Sequence, residues 1–349
     1  MTYTTFRMRD TGMMLEHKQA IKSEGSLGAH WPPQFDRRNR RVKGFADFLI
    51  DSKADLSHFM RTVGQAHDPL STRTTVRAFV SSPMLEDIQI PLQVNGSGTL
   101  SVEARIPADN VFVGCQLVYF ASNSISRIQD PDILSQELEA VGRINAIRSA
   151  DHNEIFSRLH GNGFGIRVLR EATERHINTL QALYREAYTD YTFELSPETI
   201  HQMISDPENT FIVAQDGCGA IASAMVAEHA TVAVNGVDVR LFELSDYATF
   251  HSQRGKGLMT AMQVFAADHL RRQHDGAVIF AEDRAAWTPV GISSRKAGMV
   301  YGGTLMQHCR LVSDRDIEAR GNLEDLNVFY VPPFSGRTTV EMPQPMIQI

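Results

Sequence analysis

The sequence predicts an α+β protein: a mixed α/β sheet in the C-terminal half, preceded by a smaller strand-rich α+β domain. Three observations predict it. The chain has 349 residues, more than one average domain holds. Its second half alternates strand-like and helix-like runs, which favours strands and crossover helices sharing one sheet. Its first half is rich in β-favouring runs closed by turn residues and poor in helical periodicity.

Residues 1–40 are polar, carry Trp31-Pro32-Pro33 and end in the basic cluster Arg37, Arg38, Arg40 and Arg41, which reads as an irregular arm with a solvated face. Residues 41–160 form the N-terminal domain, with strands at Val76 to Val80, Ile88 to Val94 and Val111 to Phe120. A helix is expected over Leu56 to Val63. A second runs from Asp130 to Arg148, where Ile133, Leu138, Val141 and Ile144 recur at roughly helical spacing. His160-Gly-Asn-Gly163 has the composition of a domain boundary.

The second domain, 161–334, starts with a strand at Phe164 to Leu169 and a helix at Arg175 to Tyr188, whose Ile177, Leu180, Leu183, Tyr184 and Ala187 share one face. Ser196 caps a short helix over Pro197 to Ile204. A strand at Phe211 to Ala214 precedes a long hairpin, Ala220 to Val234 and Val237 to Thr249, turned by Asn235-Gly236. Leu258, Ala261, Met262, Phe265 and Ala266 then mark a helix running to Arg272. A buried strand at Ala277 to Ala281, a helical piece near Ser293 to Ala297, and strands near Met299 to Met306 and Leu326 to Tyr330 complete the domain. The tail, 335–349, contains Pro343 and Pro345.

The most specific local signal is Gln253-Arg254-Gly255-Lys256-Gly257-Leu258-Met259, between a strand and a helix. Such a turn is an anion site: its amides are free, the helix N-terminus is positive, and glycines let backbone approach a pyrophosphate. It is neither a P-loop, which needs a Gly-Lys-Ser/Thr end, nor a dinucleotide fingerprint, because Thr260 stands where the third glycine belongs.

Arg254-Gly-Lys-Gly-Leu-Met resembles the R-x-x-G-x-G/A acyl-CoA motif of the GNAT acetyltransferase superfamily, with Met259 where glycine or alanine is usual. Phe242 to Thr249, Tyr301-Gly-Gly-Thr-Leu305 and Leu323 to Tyr330 are further similar to signature segments of β-lysine N6-acetyltransferases, as is Val102-Glu-Ala-Arg-Ile-Pro107 more weakly. The likeness departs from that pattern at Val290-Gly291, where a Met-Asn pair is usual, and at Gln307-His308, where paired asparagines are usual. The resemblance implies a GNAT-type acyl-CoA fold in the C-terminal half, with strand and helix order β-α-α-β-β-β-α-β-α-β-β. It implies acetyl-CoA as cosubstrate, Tyr247, Ala248 and Thr249 along the pantetheine arm, and Gln253, Arg254, Gly255, Lys256, Gly257 and Leu258 around the phosphates. The N-terminal domain is then either a degenerate copy of the same fold or an unrelated α+β unit.

An acetyl acceptor with a lysine-type amine has a pKa of about 10.4, so forming the free amine at neutral pH costs roughly 4–5 kcal/mol and needs a base. Glu243, eleven residues before Arg254 where many GNAT enzymes keep a glutamate, is the leading candidate; Asp246 is the second, and a bulge would bring both to the cleft. The tyrosine that often serves as acid falls at Ser294, counting back from Gly298. Asp283, Arg284 and Trp287 follow the fifth strand and, with Tyr301, are the candidate substrate-binding residues: an acidic group for an amine, an arginine for a carboxylate and an aromatic wall. Glu324 and Asn327 read as structural.

The implied reaction is acetyl transfer to the amine of a small, β-lysine-like amino acid. A protein lysine or N-terminal acceptor, and a non-catalytic acyl-CoA sensor, stand beside it as alternatives. A formal charge of −7 argues against nucleic acid as the main partner. Cys115, Cys218 and Cys309 lack metal-ligand or redox spacing and read as reduced, buried thiols of a cytoplasmic protein. No metal is expected. No apolar run long enough to cross a membrane is present, so no membrane partner is expected either. A homodimer is compatible with the sequence.

Overall fold

The computed structural model describes residues 33–36, 41–66, 70–88, 92–94, 98–123, 131–188, 195–309 and 323–333. Most of the basic arm, Asp130 and the 335–349 tail lie outside them. In the N-terminal half the chain forms β1 (Gln34–Asp36), β2 (Arg41–Phe45), α1 (Lys53–Gln65), β3 (Arg73–Ser81), α2 (Ser82–Asp87), β4 (Leu92–Val94), β5 (Gly98–Pro107) and β6 (Cys115–Asn123). Two helices follow, α3 (Pro131–Asn145) and α4 (His152–Gly161). The second half continues with β7 (Phe164–Val168), α5 (Glu174–Ala187), α6 (Pro197–Ser205), β8 (Asn209–Asp216), β9 (Ile221–Val234), β10 (Val237–Thr249), α7 (Leu258–Gln273), β11 (Val278–Arg284), α8 (Thr288–Lys296), β12 (Val300–Cys309) and β13 (Glu324–Tyr330). From β7 onward this is the order implied by the resemblance.

Local chemistry explains the second half. Thr173 caps α5 in a reciprocal pair with His176, and Ser196 accepts from the Thr199 amide to cap α6. Asn235 and Gly236 both have positive φ, 50° and 78°, as a two-residue hairpin turn requires. The N-terminal expectations need more correction. The strand expected from Val111 begins only at Cys115, because residues 108–112 turn back onto the Ala108 carbonyl. Of Ile88 to Val94, only Leu92–Val94 is a described strand. The exposed Cys218, in the turn after β8, is not a buried thiol.

The described strands join into one sheet, ordered β1-β2-β3-β6-β5-β12-β13-β11-β10-β9-β8-β7, with β4 attached to β5. The two halves share a plan. β1, β2, β3, β6 and β5 pair antiparallel, parallel, antiparallel and antiparallel. β9, β10, β11, β13 and β12 pair in the same sequence. α1 crosses between β2 and β3 as α7 does between β10 and β11. The N-terminal half thus repeats the later part of the C-terminal topology, and the two corresponding strands, β5 and β12, pair antiparallel with each other. In place of the glycine loop, the turn into α1 carries Asp47 and Asp51 and no glycine, a poor cradle for a pyrophosphate.

Backbones meet closely at that junction. A Cβ on Gly303 would lie 2.0 Å from the Glu103 carbonyl oxygen, and one on Gly302 would lie 2.6 Å from that of Arg105. Beside it, buried Arg73 pairs with Glu103 and donates to the Met306 carbonyl at 2.5 Å, while Glu103 accepts from the Met306 amide at 3.2 Å.

The cores assign the helices. Ile144 of α3 and Phe156 and Leu159 of α4 pack with α7, Ile279, Ala281 and Phe329 on one face of the C-terminal sheet. Residues 131–161 therefore pack with the second half, so the packing changes before His160–Gly163. Gly291 permits this: a Cβ there would come within 3.1 Å of Ile144 Cδ1. On the opposite face, Val239, Leu241, Val278 and Phe280 meet Phe45, Phe79, Leu117 and Tyr119 of the N-terminal half. α5 and α6 cover the remainder of that face around Val213 and Val226. Among the described residues no helix is long and apolar enough to cross a membrane.

Candidate active site

The site lies where two parallel strands part. β10 and β11 pair at Leu241↔Val278, Phe242↔Ile279 and Glu243↔Phe280, and their pairing ends there. Beyond this fork β10 runs on to Thr249 along β9, with a register shift between Ser245 and Ala248. The shift is a bulge of one residue, and Asp246 takes its positive φ of 52°. The expected bulge is therefore present.

The strand leads into the glycine loop. Gly255 and Gly257 have φ of 77° and 78°, and the space beside each is open. Gly257 is the N-cap of α7 and supplies no side-chain acceptor, which leaves the first-turn amides without an intrahelical partner. Arg254 is exposed. Lys256 donates to Gln253 Oε1 at 2.6 Å and lies 5.2 Å from the centre of the Phe164 ring. Met259, the departure from the motif, packs against the helix-side core. The amides of Gln253 and Arg254 are already bonded to the Phe250 and His251 carbonyls, so the loop fits a pyrophosphate through the amides of residues 255–258, the charges of Arg254 and Lys256, and the absent Cβ atoms of Gly255 and Gly257. Upstream, Ser223 donates to the Ala248 carbonyl at 2.7 Å and contacts Thr249 Oγ1 at 2.6 Å, and Tyr188 donates to the Tyr247 carbonyl at 2.7 Å. These contacts fix Tyr247, Ala248 and Thr249 as one wall of the fork.

Glu243, the last paired residue, stands directly opposite Glu228 across β9. Like charges in such a cross-strand pair repel. Burial first, then Glu282, Glu228 and Asp246, push the Glu243 carboxyl well above the usual carboxylate range, while Arg77 opposes them. Burial and Asp246 likewise push Glu228 up to about 8, although Ser245 donates to it at 2.7 Å. Glu282 is held from the N-terminal half by Arg77, which donates at 2.7 Å, and Tyr119, at 3.2 Å, both to its Oε1; from β12, His308 Nε2 lies 3.8 Å from its Oε2. Asp246 also faces Tyr184 and Tyr188, whose hydroxyls burial pushes up.

The expected substrate residues are distributed differently. Asp283 and Glu282 are neighbours on a strand and so face opposite sides. Glu282 follows Val278 and Phe280 into the cleft. Asp283 turns to the helices, buried, and accepts from Ser294 at 2.6 Å; burial pushes it up to about 7. Ser294 in turn accepts from Gln263 at 2.9 Å, so the place of the usual tyrosine is a buried hydrogen-bonded serine. Arg284 makes two bonds to Glu324, at 2.7 and 2.5 Å, which occupy the fork expected to take a carboxylate. The Tyr301 hydroxyl contacts Thr304 at 2.6 Å and its ring packs on Phe329, a packing position. Trp287 is 45% exposed where α8 begins. Asp283, Arg284 and Tyr301 are thus engaged by the protein itself, whereas Glu228, Glu282, Arg77 and Tyr119, none of them anticipated, gather around Glu243, with His308 beside Glu282. The period-two pattern Val278, Phe280, Glu282 was the available signal for Glu282; the N-terminal residues had none.

No family model matches the chain, and no curated protein sequence matches it. Solved structures overlap it in part. The spermidine N-acetyltransferase of Vibrio cholerae, in complex with CoA and spermine, is 13% identical over 48% of this chain and 95% of its own, with a TM-score of 0.37. The ribosomal-protein-S18-alanine N-acetyltransferase of Escherichia coli is 13% identical over 51% of this chain and 99% of its own, with a TM-score of 0.37. A conserved Enterococcus faecalis V583 protein of unknown function, described as a probable N-acyltransferase, is 14% identical over 34% of this chain; the chain spans 29% of it, with a TM-score of 0.29.

Proposed function

We propose that the chain is an acetyl-CoA-dependent N-acetyltransferase of the GNAT type, acting on the amine of a small amino-acid-like acceptor similar to β-lysine. The single observation that carries this reading is the coincidence at one fork: an anion loop with two positive-φ glycines, and a partly buried glutamate at the last paired position of the strand feeding it.

Acetyl-CoA supplies an acetyl thioester. Gln253 to Leu258 hold its phosphates, and Tyr247, Ala248 and Thr249 lie along its arm. Asp246 and Glu282, joined by Glu228 and Glu243 when these ionise, make an acidic site that favours an ammonium group. Glu243 takes a proton from the ammonium group, which frees the nitrogen lone pair to attack the acetyl carbon; as that bond forms the carbon–sulfur bond breaks, and the second nitrogen proton goes to the departing CoA thiolate. Its elevated pKa suits it to this role, since a buried carboxylate is a better base than an exposed one. Trp287 stands at the rim. Asp246, on the bulge, assists by holding the ammonium group.

The test is release of free CoA from acetyl-CoA against β-lysine, lysine, ornithine, diamines, aminoglycosides and a lysine peptide. Selective turnover of one small amine is expected. Turnover of the peptide alone moves the reading to a protein acceptor. Binding of acetyl-CoA with no turnover on any amine, and an unchanged result in Glu243→Gln, moves it to a sensor.

A further inference from the structure

We infer that Arg77, contributed by the N-terminal half, is the positioning residue that keeps Glu243 available as the base of the C-terminal site. The inference rests on the acetyl-transfer reading for its consequence and on geometry for its basis. Arg77 is a buried side chain on β3 whose guanidinium lies 4.8 Å from the centre of the Tyr119 ring and 5.7 Å from that of Phe280. Phe280 is the β11 partner of Glu243. The guanidinium ends on Glu282 at 2.7 Å, two residues further along the same face of β11. Its aromatic contacts and its ion pair thus fix a cation over the fork, delivered from the opposite half.

The charges around Glu243 make that cation necessary. Glu228 faces it from β9, Glu282 from β11 and Asp246 from its own strand, while Arg77 comes from β3 and Tyr119 from β6. Lys43 of β2 faces Glu228, and His308 of β12 faces Glu282. Three carboxylates thus raise the proton affinity of Glu243, and Arg77 is the group that lowers it. Without Arg77 the proton affinity of the carboxyl would rise further, so it would be free to accept a proton from an ammonium group only at a higher pH. The N-terminal half is by this account part of the catalytic apparatus, since it sets the pH at which the other half works.

Arg77→Met keeps the stem between the rings and removes the charge; Arg77→Lys restores a charge without the fork. The readouts are the pH profile of kcat/KM for acetyl transfer and the carboxyl titration of Glu243 followed by 13C NMR, its signal identified by comparison with Glu243→Gln. In Arg77→Met the acid limb and the NMR midpoint should both move up by about 1 pH unit or more, and Arg77→Lys should recover most of the shift. A rate loss equal at all pH values, with an unmoved NMR midpoint, would overturn the inference in favour of simple packing. If Arg77→Met does not fold, Glu282→Gln serves: with one carboxylate neutralised, the midpoint should move down, and an unmoved midpoint overturns the inference. If the wild-type protein acetylates no amine, the acetyl-transfer reading fails, and the NMR midpoint alone still decides the role of Arg77.

Discussion

The junction between the halves predicts a measurable penalty for a single methyl group. In Gly303→Ala the new Cβ would sit 2.0 Å from the Glu103 carbonyl oxygen, 2.6 Å from Ala104 Cα and 2.9 Å from the Glu103 carbonyl carbon. All three are backbone atoms, so no side chain can swing aside. The backbone φ of 146° adds strain that an L-residue rarely tolerates, about 1–3 kcal/mol. Overpacking adds about 1–3 kcal/mol. The total, about 2–6 kcal/mol, is a large part of the roughly 5–15 kcal/mol that holds a typical domain together. Urea unfolding followed by circular dichroism measures it directly. Gly302→Ala, with a 2.6 Å approach to the Arg105 carbonyl and an ordinary φ, should cost less. Gly165→Ala on β7, with open space around it, should change stability by no more than about 0.5 kcal/mol. If Gly303→Ala is no worse than Gly165→Ala, the β5–β12 contact does not join the halves as described. Since that contact also sets Arg77 and Tyr119 against Glu282, the variant should lose more activity than its unfolded fraction explains.

Three further outcomes follow from the site and core. Glu243→Gln should lower kcat by about 10²–10⁴-fold with acetyl-CoA affinity unchanged by calorimetry. Asp283 should make the protein less stable as pH rises: its folded pKa of about 7 exceeds its ordinary 3.8, so between those values the native state holds a proton that the unfolded state has released. Asp283→Asn should remove up to roughly 4 kcal/mol of that decline, seen as a flatter urea midpoint between about pH 4 and 7. Ile144→Ala should cost about 2–5 kcal/mol in the unfolding transition of the C-terminal half, because Ile144 packs against Gly291 and Phe329 there.

What the sequence disclosed was whatever short-range chemistry dictates. Asn235-Gly236 announced its hairpin because few other residues take two positive φ values in succession. Gly255 and Gly257 announced the anion loop for the same reason. Glu243 was found by its distance from Arg254. Asp283 reads as a loop residue because the apolar run ends at Ala281, whereas β11 continues to Arg284 and its alternation gives Glu282 the face that Asp283 was expected to take. The helix at His152–Gly161, capped by Asp151, has no counterpart in the sequence reading, where His160–Gly163 reads as a boundary. Arg77 was invisible: 166 residues separate it from Glu243, and only the packing of the two halves in one core brings them together.

The β5–β12 pairing has a consequence for the nascent chain. Ala104 leaves the ribosome about 200 residues before Gly303. At roughly 5–20 residues per second, the β5 edge waits about 10–40 s for its partner. An unpaired strand edge is a template for another chain. During that interval the defences on the edge are Glu103 and Arg105, whose charges discourage a second copy from docking before β12 arrives.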